Sequence, residues 1–265
     1  MTQRIIVRTG ALVLLTMIGT ALLAQGLYYE SVTKGGMLGD KEISSSTYLM
    51  PKMFKHVSQP EGGAVIIRMD QQKMYNVDPK EKTYSEMTFE EMEQQMKKMS
   101  AKMDSQMAQL EESMKDMPPE QRKMMEGMMG SKMGKAGAEV RLVRTDEKKK
   151  VSGFNCMKYV AKEGEKDLMT LWATKEVRGF ESLRKDYEAL TKRMMSMNPS
   201  FMKGLVDAML KVDGFPMETE WGGMTVLVTK VESRSTGTSE FLVPAGYKQV
   251  KPAMMEEQET DEIPH

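Results

Sequence analysis

The chain has 265 residues, with 38 basic and 38 acidic side chains, two histidines, one cysteine and 31 methionines. A balanced charge excludes electrostatic recruitment of nucleic acid, and one cysteine excludes an internal disulfide. Two histidines, one of them the terminal His265, leave no His-based triad and no HExxH zinc site to assemble.

Residues 1–26 carry the parts of an export signal: Arg4 and Arg8, an apolar run over 11–24, then Ala24-Gln25-Gly26 as small-x-small, which predicts cleavage after Gly26. The run is shorter than the roughly 20 residues a membrane span needs. No cysteine follows it to be lipidated, so no stable membrane insertion is expected after cleavage, and the mature protein is expected to be periplasmic or secreted. The remaining 239 residues are enough for a sizeable core. In an oxidising compartment Cys156, inside the alternating run Phe154-Asn155-Cys156-Met157-Lys158-Tyr159, reads as a small buried apolar residue.

From 27 to 88 the pattern is that of short strands: Tyr28, Tyr29 and Val32, then 43–50, 53–57, 64–70, 73–78 and 83–87. Gly62-Gly63, Gln71-Gln72 and Asp78-Pro79-Lys80 are turn signals between them, so an antiparallel meander is expected. At 88 the period changes. Met92, Met96, Met99, Met103, Met107 and Leu110 recur at helical steps among Glu, Gln, Lys and Asp, giving an amphipathic helix with a narrow apolar stripe that Pro118-Pro119 ends. A second short helix over 120–129 and a Gly-rich mobile loop over 130–137 complete a Met-rich insertion at 88–133.

Strands are expected again at 138–145, 151–162 and 167–174, with a charged turn at 146–150. Residues 175–197 and 199–211 read as a helix pair stopped by Gly214 and Pro216, and strands at 217–221, 224–234 and 240–243 follow. Val226 and Val228 oppose Leu227 and Val231, and Met169 and Leu171 oppose Leu168 and Trp172, so both faces of these strands are apolar and the second face needs a cover. The fold class is therefore expected to be α+β: a strongly curved antiparallel sheet, a half-open barrel of roughly eleven strands, with two helical insertions over its concave face. One domain should span 27–250, with 251–265 a disordered acidic tail.

Several stretches resemble the exported bacterial family DUF4412. They are Tyr28-Tyr29-Glu30, Ile66-Ile67-Arg68-Met69-Asp70 with Lys73-Met74-Tyr75, Asp78-Pro79-Lys80 with Thr83-Tyr84-Ser85-Glu86-Met87, Gly153-Phe154-Asn155-Cys156-Met157-Lys158-Tyr159, Leu171-Trp172-Ala173-Thr174, and Phe241-Leu242-Val243-Pro244-Ala245-Gly246-Tyr247. That family looks like a relative of the LolA/LolB-type periplasmic lipoprotein carriers, in which a half-open antiparallel barrel holds lipid under a helical lid. The resemblance implies this architecture and an apolar ligand class.

Methionine is the unusual feature. Between Ser85 and Gly134 there are 13 Met, one Leu, one Phe and no Ile or Val. A packed helix explains the spacing but not the residue choice, since leucine specifies a core better. A Met-lined surface can re-form around irregular ligands, as a lid over acyl chains or a face for an envelope protein partner would. Thioethers are also soft ligands for Cu(I) or Ag(I), and Met96, Met99 and Met103 have suitable spacing. Reversible oxidation is a third use. A second cluster, Met194, Met195, Met197, Met202 and Met209, lies in the helix pair and could meet the first across the concave face.

Catalytic signals are sparse. His56 reads as an exposed strand residue. Gly130-Ser131-Lys132-Met133-Gly134-Lys135-Ala136 is one residue short of a phosphate loop and lacks its magnesium-binding hydroxyl. Carboxylate pairs such as Glu90-Glu91 belong to a solvated helix face. The expected function is a periplasmic, non-enzymatic binding protein for a lipid or other apolar ligand, requiring no cofactor, with Met92, Met96, Met99, Met103, Met107, Met194, Met195, Met202 and Trp172 lining the site. The alternatives are Cu(I) or Ag(I) handling and an envelope interaction module.

Overall fold

A computed structural model describes residues 25–115, 139–195 and 203–252. Twelve strands form one sheet: β1 (Gln25–Gly35), β2 (Glu42–Met50), β3 (Met53–Gln59), β4 (Ala64–Arg68), β5 (Lys73–Asp78), β6 (Thr83–Thr88), β7 (Val140–Val151), β8 (Phe154–Glu163), β9 (Lys166–Thr174), β10 (Phe215–Trp221), β11 (Met224–Ser235) and β12 (Lys248–Gln249). Among the described residues the α-helices are α1 (Phe89–Lys115), α2 (Phe180–Met195) and α3 (Lys203–Met209). The sheet order is β12-β6-β5-β4-β3-β2-β1-β11-β10-β9-β8-β7, and it does not close. All neighbours are antiparallel except β12 with β6.

Two meanders, β1–β6 and β7–β11, thus meet where the first strand pairs with the last long one. The turns between β2 and β6 follow the chemistry read from the sequence. Asp78 illustrates it: its Oδ1 accepts the backbone N–H groups of Lys80 and Glu81, closing the β5–β6 link.

Three expectations are corrected. The charged residues 146–150 belong to β7, which runs unbroken to Val151 with a bulge between Arg144 and Lys148. Lys149 and Glu147 are satisfied there by Glu218 and Lys158, and the turn falls at Ser152 and Gly153, whose φ of 48° and 89° suit a tight hairpin. The expected strand 240–243 is instead a 3-10 turn, Thr238–Phe241, and the twelfth strand is β12. The second helix starts at Phe180, because Gly179 with φ 82° breaks the chain just before it. The expected helix 120–129, the loop 130–137, residues 199–202 of the last expected helix and the tail from 253 lie outside the described residues.

Cross-strand register shows what each face does. Leu27, Leu49, Phe54, Ile67, Met74 and Met87 pair in one row across β1–β6 and so share a face. Thr33, on the same side of β1 as Leu27, continues through Val226 and Thr219 to Leu171 and Tyr159. All three helices pack on this face. Phe180 and Leu183 of α2 meet Leu27, Leu49 and Phe215; Phe89 and Met92 of α1 meet Ile67, Met87 and Leu190; Leu205 and Ala208 of α3 meet Tyr159, Ala161 and Leu171. On the other face of β2–β6 the chain after β11 lays Phe241 into Met50, Ala64, Ile66 and Val77.

Candidate functional site

The Met-rich helix begins in a reciprocal cap. Thr88 Oγ1 accepts the Glu91 N–H at 3.1 Å, and Glu91 Oε2 accepts the Thr88 N–H at 2.7 Å. This is the T-x-x-E capping box, and the Thr88 backbone N–H first, then its hydroxyl, holds the Glu91 carboxyl below its ordinary range. The cap fixes the entry angle, so Phe89 and Met92 point into the sheet at 3% and 4% exposure. Burying Met92 stabilises the contact by about 1.5 to 3 kcal/mol. From α2, the Arg193 guanidinium lies 4.7 Å over the Phe89 ring and reaches Glu93 at 2.9 Å.

Past this anchor the stripe leaves the core. Met96 is half-buried and Met99 is 50% exposed. Every described side chain of α1 from Lys97 to Ser113 is exposed. The helix is 27 residues long, about 40 Å at 1.5 Å per residue, and among its described side chains the buried ones, Phe89, Met92 and Gln95, all lie in the first two turns. Met103 and Met107 lie on α1, and Met194 and Met195 end α2, with their side chains outside the described residues; Met202 lies outside altogether.

Trp172 is elsewhere. It is buried, pairs with Lys158 and Glu218, and belongs to the core cluster that also holds Phe180 and Leu183 of α2, with the Lys149 ammonium 4.3 Å and the Lys158 ammonium 5.8 Å from its ring centroid. Of the expected lining residues the structure seats Met92 against the sheet, and Trp172 lies in a different core cluster.

Between α2, α3 and the sheet is a cavity of about 30 Å³, walled by Leu171, Phe180, Tyr187, Met209, Val212 and Pro216. It has room for one water, whereas ligand pockets commonly hold about 300 to 1,000 Å³. Burial raises the pKa of the Tyr187 phenol, on α2, and of the Tyr29 phenol, on β1, above the usual value.

The next rows on the helix-bearing face are polar, which sequence reasoning missed. Tyr29, Thr47, His56, Val65, Asn76 and Ser85 pair in order across β1–β6, and Ser31 pairs with Ser45 and Ser45 with Ser58. Ser31 and Ser45 hydroxyls share a 2.9 Å bond, and the fully buried Thr47 bonds His56 Nδ1 at 3.0 Å. His56 is half-buried and stacked on Phe54, not exposed, and burial lowers its pKa below the ordinary value. The signal in the sequence was the unbroken Ser44-Ser45-Ser46-Thr47 run, which has no apolar side for a covered strand. Cys156 is buried at 1% exposure, as expected, and burial pushes its thiol pKa up.

The family described as a domain of unknown function, DUF4412, matches residues 90–247. The chain belongs to this family. The Gly153–Tyr159, Leu171–Thr174 and Phe241–Tyr247 stretches lie inside the match, and the stretches in β1–β6 lie ahead of it, in the same sheet. A comparison with curated proteins finds no match. Among solved structures, an uncharacterized conserved protein from Thermus thermophilus is similar with a TM-score of 0.44 and 9% identity, over 87% of this chain and 92% of that one. A MucA/MucB complex of Pseudomonas aeruginosa is similar with a TM-score of 0.37 and 6% identity, over 86% of this chain and 59% of that one. PNGF-II is similar with a TM-score of 0.37 and 8% identity, over 89% of this chain, which spans 32% of that one. No described helix is long and apolar enough to cross a membrane.

Proposed function

We propose that this DUF4412 protein is an exported, non-catalytic binding protein of the bacterial envelope. It takes up a lipid or other apolar ligand on the helix-bearing face of a concave, half-open sheet, with α1 as a movable lid. The observation that carries this reading is the exposure gradient along one stripe: Met92 is 4% exposed and Met99 is 50% exposed on the same helix. A helix built only to pack would keep its stripe against the sheet. This one is anchored by two turns and then offers flexible thioether side chains to a further partner.

The cavity of about 30 Å³ beneath α2 and α3 is too small for an acyl chain and has no α1 residue in its wall, so in this reading the ligand lies on the sheet face that α1 covers and not in that cavity. The lid would be α1, whose anchor is one cap, two buried apolar side chains and the contacts of Arg193.

The test is one variant with Met92, Met96, Met99, Met103 and Met107 all replaced by Leu. Such swaps usually cost less than about 1.5 kcal/mol each and conserve apolar area, so binding of N-phenylnaphthylamine should persist in both proteins. Tight Cu(I) binding in the native protein, lost in the variant, with no apolar probe bound by either, would overturn this reading in favour of metal handling. Native mass spectrometry of protein taken from its own periplasm should show an added lipid mass.

A further inference from the structure

The sheet ends in two edges that differ. At one, β6 is followed by the two-residue strand β12. At the other, β7 runs for 12 residues, and only β8 pairs with it among the described residues. In an edge strand every second residue turns its N–H and C=O outward, and the full complement of such a row is the backbone of another extended chain.

The two halves of β7 treat this exposure differently. Over residues 145–151 the edge is blunted. The strand bulges between Arg144 and Lys148, the Glu147 N–H donates to Thr145 Oγ1 at 3.2 Å, and Lys148, Lys149 and Lys150 follow in a row. Bulges and lysines are devices that keep an edge from pairing. Residues 140–144, Val-Arg-Leu-Val-Arg, carry neither device, and their register with β8 is unbroken from Glu163 to Tyr159. Five residues at about 3.4 Å each offer an edge about 17 Å long.

A groove of about 450 Å³ adjoins this half, between β7 and the chain that leaves α3. Val140 and Leu142 form its apolar wall, packed against the cluster that holds Leu205 and Ala208 of α3. Of the charges in the lining, Asp213 is held by Lys175 and Arg184, and Arg141 reaches Glu165 at 3.2 Å. Arg144 and Lys211 are exposed and have no ion-pair partner among the described residues. Glu139 is the remaining acid, so two uncommitted cations face one carboxylate.

Charge also decides between occupants. β7 carries five basic and two acidic side chains. A second copy of this chain, paired edge to edge, would set that excess of positive charge against itself, whereas an acidic strand is attracted by it.

We propose that the edge of β7 at residues 140–144 is a docking site for an extended acidic peptide, which adds to the sheet as a further strand with its carboxylates beside Arg144 and Lys211. Backbone pairing supplies the affinity and side-chain charge the selectivity. The site shares no residue with the Met-rich helix and is independent of the apolar-ligand reading.

The test uses the mature chain and a labelled seven-residue peptide that alternates glutamate with valine or threonine, read by fluorescence anisotropy and by hydrogen exchange. The peptide should bind and should slow amide exchange at residues 140–144, with no change in β3–β6. Lysine in place of glutamate should weaken binding roughly tenfold. Proline in place of valine and threonine keeps the charge but cannot continue a ladder, and should abolish binding. Arg144→Gln and Lys211→Gln should each weaken the acidic peptide roughly two- to fivefold, as loss of an exposed ion pair does. Both side chains are exposed, so both variants should fold, which an unchanged melting midpoint verifies. Unslowed exchange at 140–144 with the acidic peptide, equal binding of the proline peptide, or binding unaffected by the two substitutions together would each overturn the proposal. Self-association that protects 140–144 without any peptide would overturn it in favour of a second copy.

Discussion

Arg193, in the last turn of α2, lies 4.7 Å over the ring of Phe89, the first residue of α1, and pairs with Glu93 one turn further on. One guanidinium therefore ties the two helices together at the point where the Met-rich helix leaves the sheet. Both carboxylate and guanidinium are over a third or close to a third exposed, at 44% and 33%, so screening discounts the ion pair and the stacked ring carries much of the contact. Replacing Arg193 with Ala should lower global stability by only about 1 kcal/mol. It should raise amide exchange across the first two turns of α1 well above the change in β8 and β9. Uniform acceleration in both regions would show that Arg193 supports the whole fold and not the seat of one helix.

His56 sets a pH dependence whose sign follows from its burial. Its folded pKa lies below the ordinary 6.5, so below that pH the unfolded chain binds more protons than the folded one. The stability associated with neutral His56 is fully present above about 6.5 and is lost as pH falls towards the folded pKa. His56→Gln, which retains a partner for Thr47, should flatten the loss of melting midpoint between pH 6.5 and 5. The carboxylates of Asp70, Glu91, Glu176 and Asp213 have lowered pKa values, so their contributions fade at more acidic pH, through their folded pKa values. Parallel curves for native and variant protein from pH 7 to 5 would remove His56 as the group responsible.

The β1–β6 meander was readable because its turn residues are local: Gly62-Gly63, Gln71-Gln72 and Asp78-Pro79 each act within a few residues. Where position depends on distant partners, reading failed. The charged run in β7 is strand because Glu218 and Lys158, remote in sequence, accept its charges. The Met stripe was legible from its spacing, but the point where it stops being core is set by Leu190, Arg193 and Met87. The polar line from Tyr29 to Ser85 could not be seen without the register of six strands, since each member alone is an ordinary strand residue. Trp172 is expected beside the methionines from the sequence, and only the register of β8–β10 sets it on the opposite side of β9 from Leu171, in a core cluster without Met92.

The pairing of β1 bears on the proposed export signal. Gln25 pairs with Ser235 and Gly26 with Arg234, so the sheet begins two residues ahead of a chain cut after Gly26. A Cβ on residue 26 would stand 2.8 Å from the Leu49 carbonyl oxygen, so this glycine is required by the close approach of β2. Cleavage after Ala24, which also leaves a small residue at the cut, preserves both pairs. If the protein is exported as proposed, N-terminal sequencing of the mature chain should therefore begin at Gln25; a start at Leu27 would show that processing trims the strand.

Methionine oxidation separates the anchored part of α1 from the projecting part chemically. Thioethers react with peroxide according to access, and oxidation turns an apolar side chain polar. Met99 at 50% exposure should become sulfoxide well before Met92 at 4%, with Met217, which is fully buried, slower still. Mass spectrometry of peptides after brief peroxide exposure reads this order directly. Because Met92 shares its cluster with Leu190 and Met87, its oxidation should follow only opening of the α1 seat, and Arg193→Ala should hasten it without changing Met99. If α1 closes over an apolar ligand, N-phenylnaphthylamine at saturation should slow the oxidation of Met99. A Met99 rate indifferent to the probe, while the probe is demonstrably bound, would place the ligand away from α1 and remove this helix from the binding event.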